Sequence, residues 1–486
     1  MTAATRHCSR HRRGGAGHPA RVRRAMAAMT SALMVAGTAV LGAAAVGVGA
    51  VGIGVGAGAG TAAAEPPVRT PELGEIFGDY VTSTFTDGRM GTLDEITTGL
   101  RADDPFYAEP ALDGDVAPGT LLKSEPVQVM FTGFRPGNLE AHKVMYVTRG
   151  VQGQQVISTG ILMIPRPGGG AGGDGVGATP SALIGYQEAN DSVGASCHPS
   201  TQWTGGDPMD AAAWSALGPL ALMFKRGQAV MISDVGNDAD PGPHGVFAGQ
   251  FSGRANLDGL RAALQVPGTG LNPDVPIGLF GIAGGGVGAA VAAEIQSDYA
   301  PELNVRATVL EGMVVDQRNF MRVSDGSIGS GFAFANLLGL EPWYPEMKID
   351  EKLTPLGKQI ADFYRTQCQT PAYFTMPFVP LHLLFTSGEN PADIADFQHA
   401  YEDNRLGRAA PASKVLISSC GADNSPMSLV PAADARRLGD TYRAGGTEVT
   451  YAPSECSMPK LLSNAYAWGT DLFGMQTIDW LADALQ

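Results

Sequence analysis

Short apolar runs recur along the chain, separated by longer stretches that mix polar, glycine-rich and helical patterning. Runs at Val127–Phe131, Val144–Thr148 and Val156–Ile164 come first, followed by Ser181–Tyr186 and Ala229–Asp234. Ile277–Phe280, Ala307–Leu310, Lys414–Ser418 and Glu448–Tyr451 complete the series. Each is short enough for a strand, and most are apolar at every position rather than at alternate ones, as in strands buried on both faces. Helical spacing is expected at Leu93–Leu100, Ala211–Lys225, Ala255–Leu264, Ala432–Arg443 and Met475–Leu485. Strands alternating with helices predict a mostly parallel, doubly wound sheet covered on both faces, an α/β fold.

One segment sets the frame for the rest. Pro276–Ala290 joins an apolar run to a knot of glycines and then to a run of small residues. A strand, a tight turn and a helix packed close to a sheet are written this way. In α/β-hydrolases such a turn reads Gly-x-Ser-x-Gly and exposes the serine as nucleophile. Here it reads Gly281-Ile-Ala283-Gly284-Gly285, with alanine at the nucleophile position.

Two regions depart from the alternation. Asp316–Arg408 inserts about ninety residues between two strands, with helical patterns, many aromatics and several prolines. A crossover needs far less, so residues 316–408 are expected to form a cap on the ligand-binding edge of the sheet; an insertion serving stability is the alternative. The core then comprises 126–315 and 409–486, preceded by an extension, 65–125. The Gly-rich stretch 168–177 is expected to be a solvated hairpin tip.

The first 64 residues read as an export signal: seven arginines, a Gly/Ala/Val-rich stretch and a small-residue site before Glu65. An uncleaved anchor is the alternative. The 486-residue chain carries a net charge of −15. Removing those seven arginines from 33 basic residues leaves 26 against 48 acids, a net of −22. An acidic surface disfavours nucleic acid and anionic membranes as partners. Cys197, Cys368, Cys420 and Cys456 remain, none in a Cys-x-x-Cys pair and none beside a histidine-rich cluster, so no metal or other cofactor is expected. In an exported chain two disulfides are the default, with three connectivities.

From about Asp104 to the C-terminus the chain resembles the secretory lipases, α/β-hydrolases typified by Candida antarctica lipase A. The resemblance rests on collinear segments: Tyr186-Gln-Glu-Ala-Asn-Asp-Ser192, Cys197-His-Pro-Ser200, Arg261–Gly270, the glycine turn, Tyr299–Val305, Leu353–Gly357, Asn404–Gly407 and Val430–Arg436. It implies long-chain acyl esters as substrate class and an acyl cavity supplied by the cap. It also assigns positions. Ala283 stands at the nucleophile, Gly284 and Asp191 at the oxyanion hole, and Asp423 at the triad acid, although Pro431 follows Asp423 later than in the family. Asp191 also reads as a loop cap beside Ser192.

The base position falls in Ala452–Pro459, where Ser457 replaces the histidine. Histidines occur at 142, 198, 244, 382 and 399 past the signal, and none beyond 399, so no histidine follows the acid in chain order. His198 and His244 fall on loops at the functional edge, where each is expected to cap a loop. A route through Ser192 and His244 lacks the strained turn that exposes a nucleophile. The cysteines are expected to pair 197 with 368, tying the loop after a central strand to the cap, and 420 with 456, joining the loops that should carry acid and base. The expectation is a secreted lipase-fold protein that keeps a lipid or acyl-ester pocket but is catalytically impaired. An active lipase or esterase with a non-standard nucleophile, and a cell-envelope scaffold, are the alternatives.

Overall fold

The computed structural model describes residues 68–76, 89–92, 104–131, 133–166, 179–189, 193–194, 197–206, 210–237, 245, 247–368, 375–422 and 428–486. The helix expected at Leu93–Leu100 and the glycine-rich stretch 168–177 lie outside them, as does the export signal.

The nine strands of the main sheet are β1 (Leu121–Val127), β2 (Leu139–Arg149), β3 (Gln155–Pro165), β4 (Ala182–Gln187), β5 (Gln228–Ser233), β6 (Ile277–Ile282), β7 (Val305–Glu311), β8 (Lys414–Ser418) and β9 (Val449–Tyr451). Their spatial order is β9-β8-β7-β6-β4-β5-β3-β2-β1. Neighbours from β9 to β5 run parallel; β5–β3, β3–β2 and β2–β1 run antiparallel. The chain reverses its sheet order around β4, β5 and β6, which leaves a crevice at the carboxyl ends of the central strands.

The central strands are apolar throughout because both faces are covered. Every residue of β4, β5 and β6 is buried. On one face lie α2 (Gly249–Ala263) and α3 (Ala283–Tyr299), whose Leu257, Leu260 and Ala292 pack with Leu183, Met231 and Leu279. On the other lie α1 (Ala211–Lys225) and the C-terminal helix Ile478–Ala484, whose Leu220, Ile478 and Leu481 pack with Ile184, Ile232 and Phe280.

Between β7 and β8 the chain forms α4 (Gln317–Ser324), α5 (Ser330–Leu340), α6 (Ile349–Lys352), α7 (Pro355–Tyr364) and α8 (Gln398–Asp403). Helix α5 is buried along its whole length, and its core is continuous with that under α3. After β8 come α9 (Ala432–Ala444) and then, past β9, α10 (Met458–Ser463) and α11 (Ala465–Leu472). Cys197 is bonded to Cys368 and Cys420 to Cys456.

Three sequence expectations need correction. The first strand is Leu121–Val127, not Val127–Phe131. It is an edge strand, so its Lys-Ser-Glu-Pro stretch can face water and its proline needs no ladder partner. The apolar run that follows is buried differently, with Phe131 stacked on Trp203 at 5.3 Å. The helix expected from Ala255 begins at Gly249. That expected over Met475–Leu485 is a 3-10 turn, Met475–Thr477, followed by Ile478–Ala484.

Candidate active site

Strand β6 ends at Ile282 in extended conformation, and the next residue, Ala283, has φ = 49°. A side chain in that left-handed region costs roughly 1–2 kcal/mol. This is the strained strand-to-helix turn that lifts a nucleophile above the sheet, and it holds a methyl group.

The turn is fixed by what it packs against. A Cβ on Gly285 would stand 2.2 Å from the Glu188 carbonyl oxygen and 2.5 Å from that of Gln187. A Cβ on Gly281 would stand 2.6 Å from the Ala289 Cβ and 2.7 Å from the Gly285 carbonyl oxygen. Only hydrogen fits at these sites, so helix and sheet approach backbone to backbone. Gly284 sits in the first turn of α3, where backbone N–H groups have no partner within the helix, and it lines the cavity over Ala283. Asp191, the other assigned oxyanion position, and Asp423, the assigned acid, lie outside the described residues, as do Ser192 and His244.

The loops after β8 and β9 lie side by side. The Ser454 N–H donates to the Ser419 carbonyl at 2.8 Å, and the Gly421 N–H to the Ser454 carbonyl at 2.9 Å. The Cys420–Cys456 disulfide closes the same junction. Ser457 is the N-cap of α10: its Oγ accepts from the Lys460 N–H at 3.2 Å and donates to Glu455 Oε1 at 3.0 Å. Ser/Thr/Asp/Asn are favoured at this position for that reason. A few residues on, Lys460 pairs with Asp471 of α11.

None of the described histidines lines the cavity. His142 pairs with Glu140 at 2.8 Å, His382 with Asp325 at 3.4 Å and His399 with Glu346 at 2.7 Å. His198 is buried, at the N-terminus of a helical turn and within the field of Asp234. Ser200, two residues on, is also buried, donating its hydroxyl to Asp234 and facing Tyr107 OH at 2.8 Å. A serine held that way has no route to a substrate.

Above Ala283 lies an apolar cavity of about 1090 Å³ including its mouth. Phe320 and Phe332 of the cap contribute to its wall, and Trp468, Leu472 and Phe473 from the C-terminal segment line it too. The resemblance implied a cavity supplied by the cap; here the segment after β9 shares it. Three acids also reach the lining: Glu311, Glu455 and Asp471. Glu311 closes β7, in register with Ile282 of β6 and Ser418 of β8. Burial pushes its carboxyl well above the usual range and the charge of Asp471 adds to this, against the nearby Ser418 and Thr477 hydroxyls. Burial also raises Asp471, with Lys460 opposing. Beneath the turn, burial pushes Glu188 up to about 8, although Trp203 Nε1 donates to it at 2.5 Å. Sequence reading passed over Glu311. The available signal was a carboxylate ending the apolar run Ala-Thr-Val-Leu, but its neighbours come from strand register, which the sequence does not print. The described residues hold no cluster of His, Cys, Asp and Glu able to bind a metal ion.

A sequence model of the secretory lipase family matches residues 219–482. A Mycobacterium tuberculosis protein named a probable inactive lipase is 30% identical over 364 residues, covering 72% of this chain and 76% of that one. A secreted triacylglycerol lipase of Malassezia furfur is 29% identical over 270 residues, 54% of each chain. Among solved structures, Candida antarctica lipase A in its closed state aligns with a TM-score of 0.62 at 23% identity, covering 77% of this chain and 86% of that one.

Proposed function

The chain belongs to the secretory lipase family, and from that premise we propose that it is an exported lipase-fold protein that holds an acyl lipid without cleaving it. Residues 1–64 serve as the export signal, 316–408 as the cap, and 126–315 with 409–486 as the α/β-hydrolase core. Among the described residues no helix is long and apolar enough to cross a membrane.

The observation that carries the reading is the strained turn at Ala283: the geometry of a nucleophile with no oxygen on it. Ser457 supports it, since at the assigned base position a hydroxyl caps a helix and no imidazole takes a proton. Acyl transfer in this fold requires a histidine to accept the serine proton and return it to the leaving group. Nucleophile and base act as a unit, and removing either costs roughly 10⁴–10⁶ in rate, with little further loss when both go. The cavity supports the lipid half of the reading: its largely apolar walls suit a ligand pocket.

The test is to incubate purified protein with a fluorophosphonate probe and with p-nitrophenyl esters of several chain lengths, and to analyse co-purified lipid by native mass spectrometry. Neither labelling nor turnover above background is expected, and an acyl lipid should accompany the protein. Ala283→Ser should remain at background, because no base awaits it. Covalent labelling of the wild type, or turnover that survives exhaustive purification, would establish the reading of an active esterase instead. A cavity that never carries lipid would favour a cell-envelope scaffold.

A further inference from the structure

Two polar atoms on the cavity floor, Glu311 Oε1 and Ser419 Oγ, have no hydrogen-bond partner. Glu311 is 3% exposed, and no donor reaches its Oε1. Ser419 is also 3% exposed and lines the same cavity, with no partner for its Oγ. They stand at the ends of adjacent strands, because Ser418 is in register with Glu311 across β8 and β7. Glu311 is likewise level with Ile282, the residue before Ala283.

A buried carboxyl is ordinarily paired or hydrogen-bonded, since leaving it otherwise costs free energy. The groups that bear on Glu311 are another acid, Asp471 of α11, two hydroxyls, Ser418 and Thr477, and the phenol of Tyr186 on β4. Lys460, which pairs with Asp471, is not among the groups acting on Glu311. The surroundings therefore favour the uncharged acid, which carries an O–H to donate. The rest of the wall is largely apolar, with Phe247, Val314, Phe320, Phe332 and Trp468 among its residues. A long apolar wall with a small polar end is complementary to a lipid with one neutral oxygen function.

We propose that Glu311 and Ser419 form the head subsite of this cavity, the uncharged Glu311 carboxyl donating a hydrogen bond to the carbonyl or hydroxyl oxygen of a neutral acyl ester or alcohol lying over Ala283. The proposal rests on reading the cavity as a lipid pocket, and it adds which end of the lipid lies at the turn. It involves no bond-making. The head group is held at the place where a hydrolase would attack an ester's carbonyl carbon.

Displacement of an apolar fluorescent dye by two ligands of equal carbon number, methyl decanoate and undecane, tests this. A neutral hydrogen bond contributes about two- to tenfold in affinity. Glu311→Leu should weaken methyl decanoate by about that factor and leave undecane unchanged or slightly tighter, while Glu311→Gln, which keeps a donor, should stay within about twofold for both. Ser419→Ala should weaken methyl decanoate by about two- to threefold. Glu311→Leu removes no donor's partner at Oε1, so it is expected to fold; if it does not, Ser419→Ala decides. Methyl decanoate affinity unchanged in the folded variants, or both ligands weakened equally, overturns the head subsite while leaving the lipid pocket standing. If neither ligand displaces the dye from wild-type protein, the pocket reading itself fails.

Discussion

The turn at Gly281–Gly285 and the loop at Ala452–Pro459 are the two places to which the family resemblance assigns nucleophile and base. They differ in how they depart from that pattern. The turn keeps its backbone to the point of strain and lacks only an oxygen. The loop has Ser457 in a new role, capping α10, and α11 beyond it turns apolar side chains into the cavity. The difference follows from packing. The turn's glycines touch backbone of β4 and of α3 itself, so its geometry is a condition of folding the sheet. The loop is tied to its neighbour by a disulfide and a few hydrogen bonds, and its side chains are half-exposed, so it can take a different local structure. Geometry persists where the core needs it, and chemistry can go without disturbing it.

If that contrast holds, the largest effect should come from the turn. Gly285→Ala puts a methyl group 2.2 Å from a backbone oxygen that cannot rotate away. A loss of about 4 kcal/mol, or failure to fold, is expected by chemical denaturation. A loss under about 1 kcal/mol would show that α3 can retreat from the sheet, and that the glycines are not what holds the turn.

The floor of the turn should also make stability depend on pH in the direction opposite to ordinary paired carboxylates. Glu188 is raised to about 8 by burial, above its unfolded value near 4.5. The folded state therefore holds a proton that the unfolded state has released. That stabilisation is complete below about pH 4.5 and is lost as pH rises through about 8, and a fully buried group is worth on the order of 3 kcal/mol. Denaturation at pH 5 and pH 9 should show the fall, and Glu188→Gln should reduce it. Asp234, Asp258, Glu294, Glu311 and Asp471 are raised by burial too and contribute to the slope that remains. A flat profile in the wild type would mean that these carboxyls are ionised in the folded protein.

Much of this was legible in the chain because the signals are local. The central strands are uninterrupted apolar runs, the turn is a glycine cluster between an apolar run and a run of small residues, and the absence of histidine after residue 399 is a matter of reading. The edge strand was placed too late because its exposed residues carry no apolar pattern, while the buried run beside it mimics one. Glu311 was invisible for a different reason. One glutamate at the end of an apolar stretch has no meaning until strand register sets it beside Ile282 and Ser418. The share of the cavity wall built by Trp468, Leu472 and Phe473 is hidden in the same way, since it depends on where a C-terminal helix pair folds back.

The loop should tolerate change far better than the turn. Ser457→Ala removes one N-cap, and α10 is short and exposed, so a cost of about 1 kcal/mol or less is expected. Dye displacement by methyl decanoate should not move, because Ser457 does not line the cavity. A large loss of stability would break the comparison, since the base loop would then be as much a part of the fold as the turn.

The smallest effect is the one that bears most directly on Ala283. In a working hydrolase the strain of a left-handed nucleophile is offset by what the exposed oxygen does. Here the same φ of 49° is held by the packed glycines around it, at a position whose side chain carries no oxygen. Glycine adopts that conformation without strain, which should recover roughly 1–2 kcal/mol. Against this, the more flexible unfolded chain costs about 0.4–1 kcal/mol, so Ala283→Gly should stabilise the protein by about 0.5 kcal/mol. The shift is small but its sign is informative, and paired denaturation curves at one pH resolve it. A stabilised variant means the turn is inherited geometry with no local benefit from its side chain. A destabilised one means the alanine methyl packs usefully against the core cluster it borders, and the position has acquired a structural reason to hold a side chain.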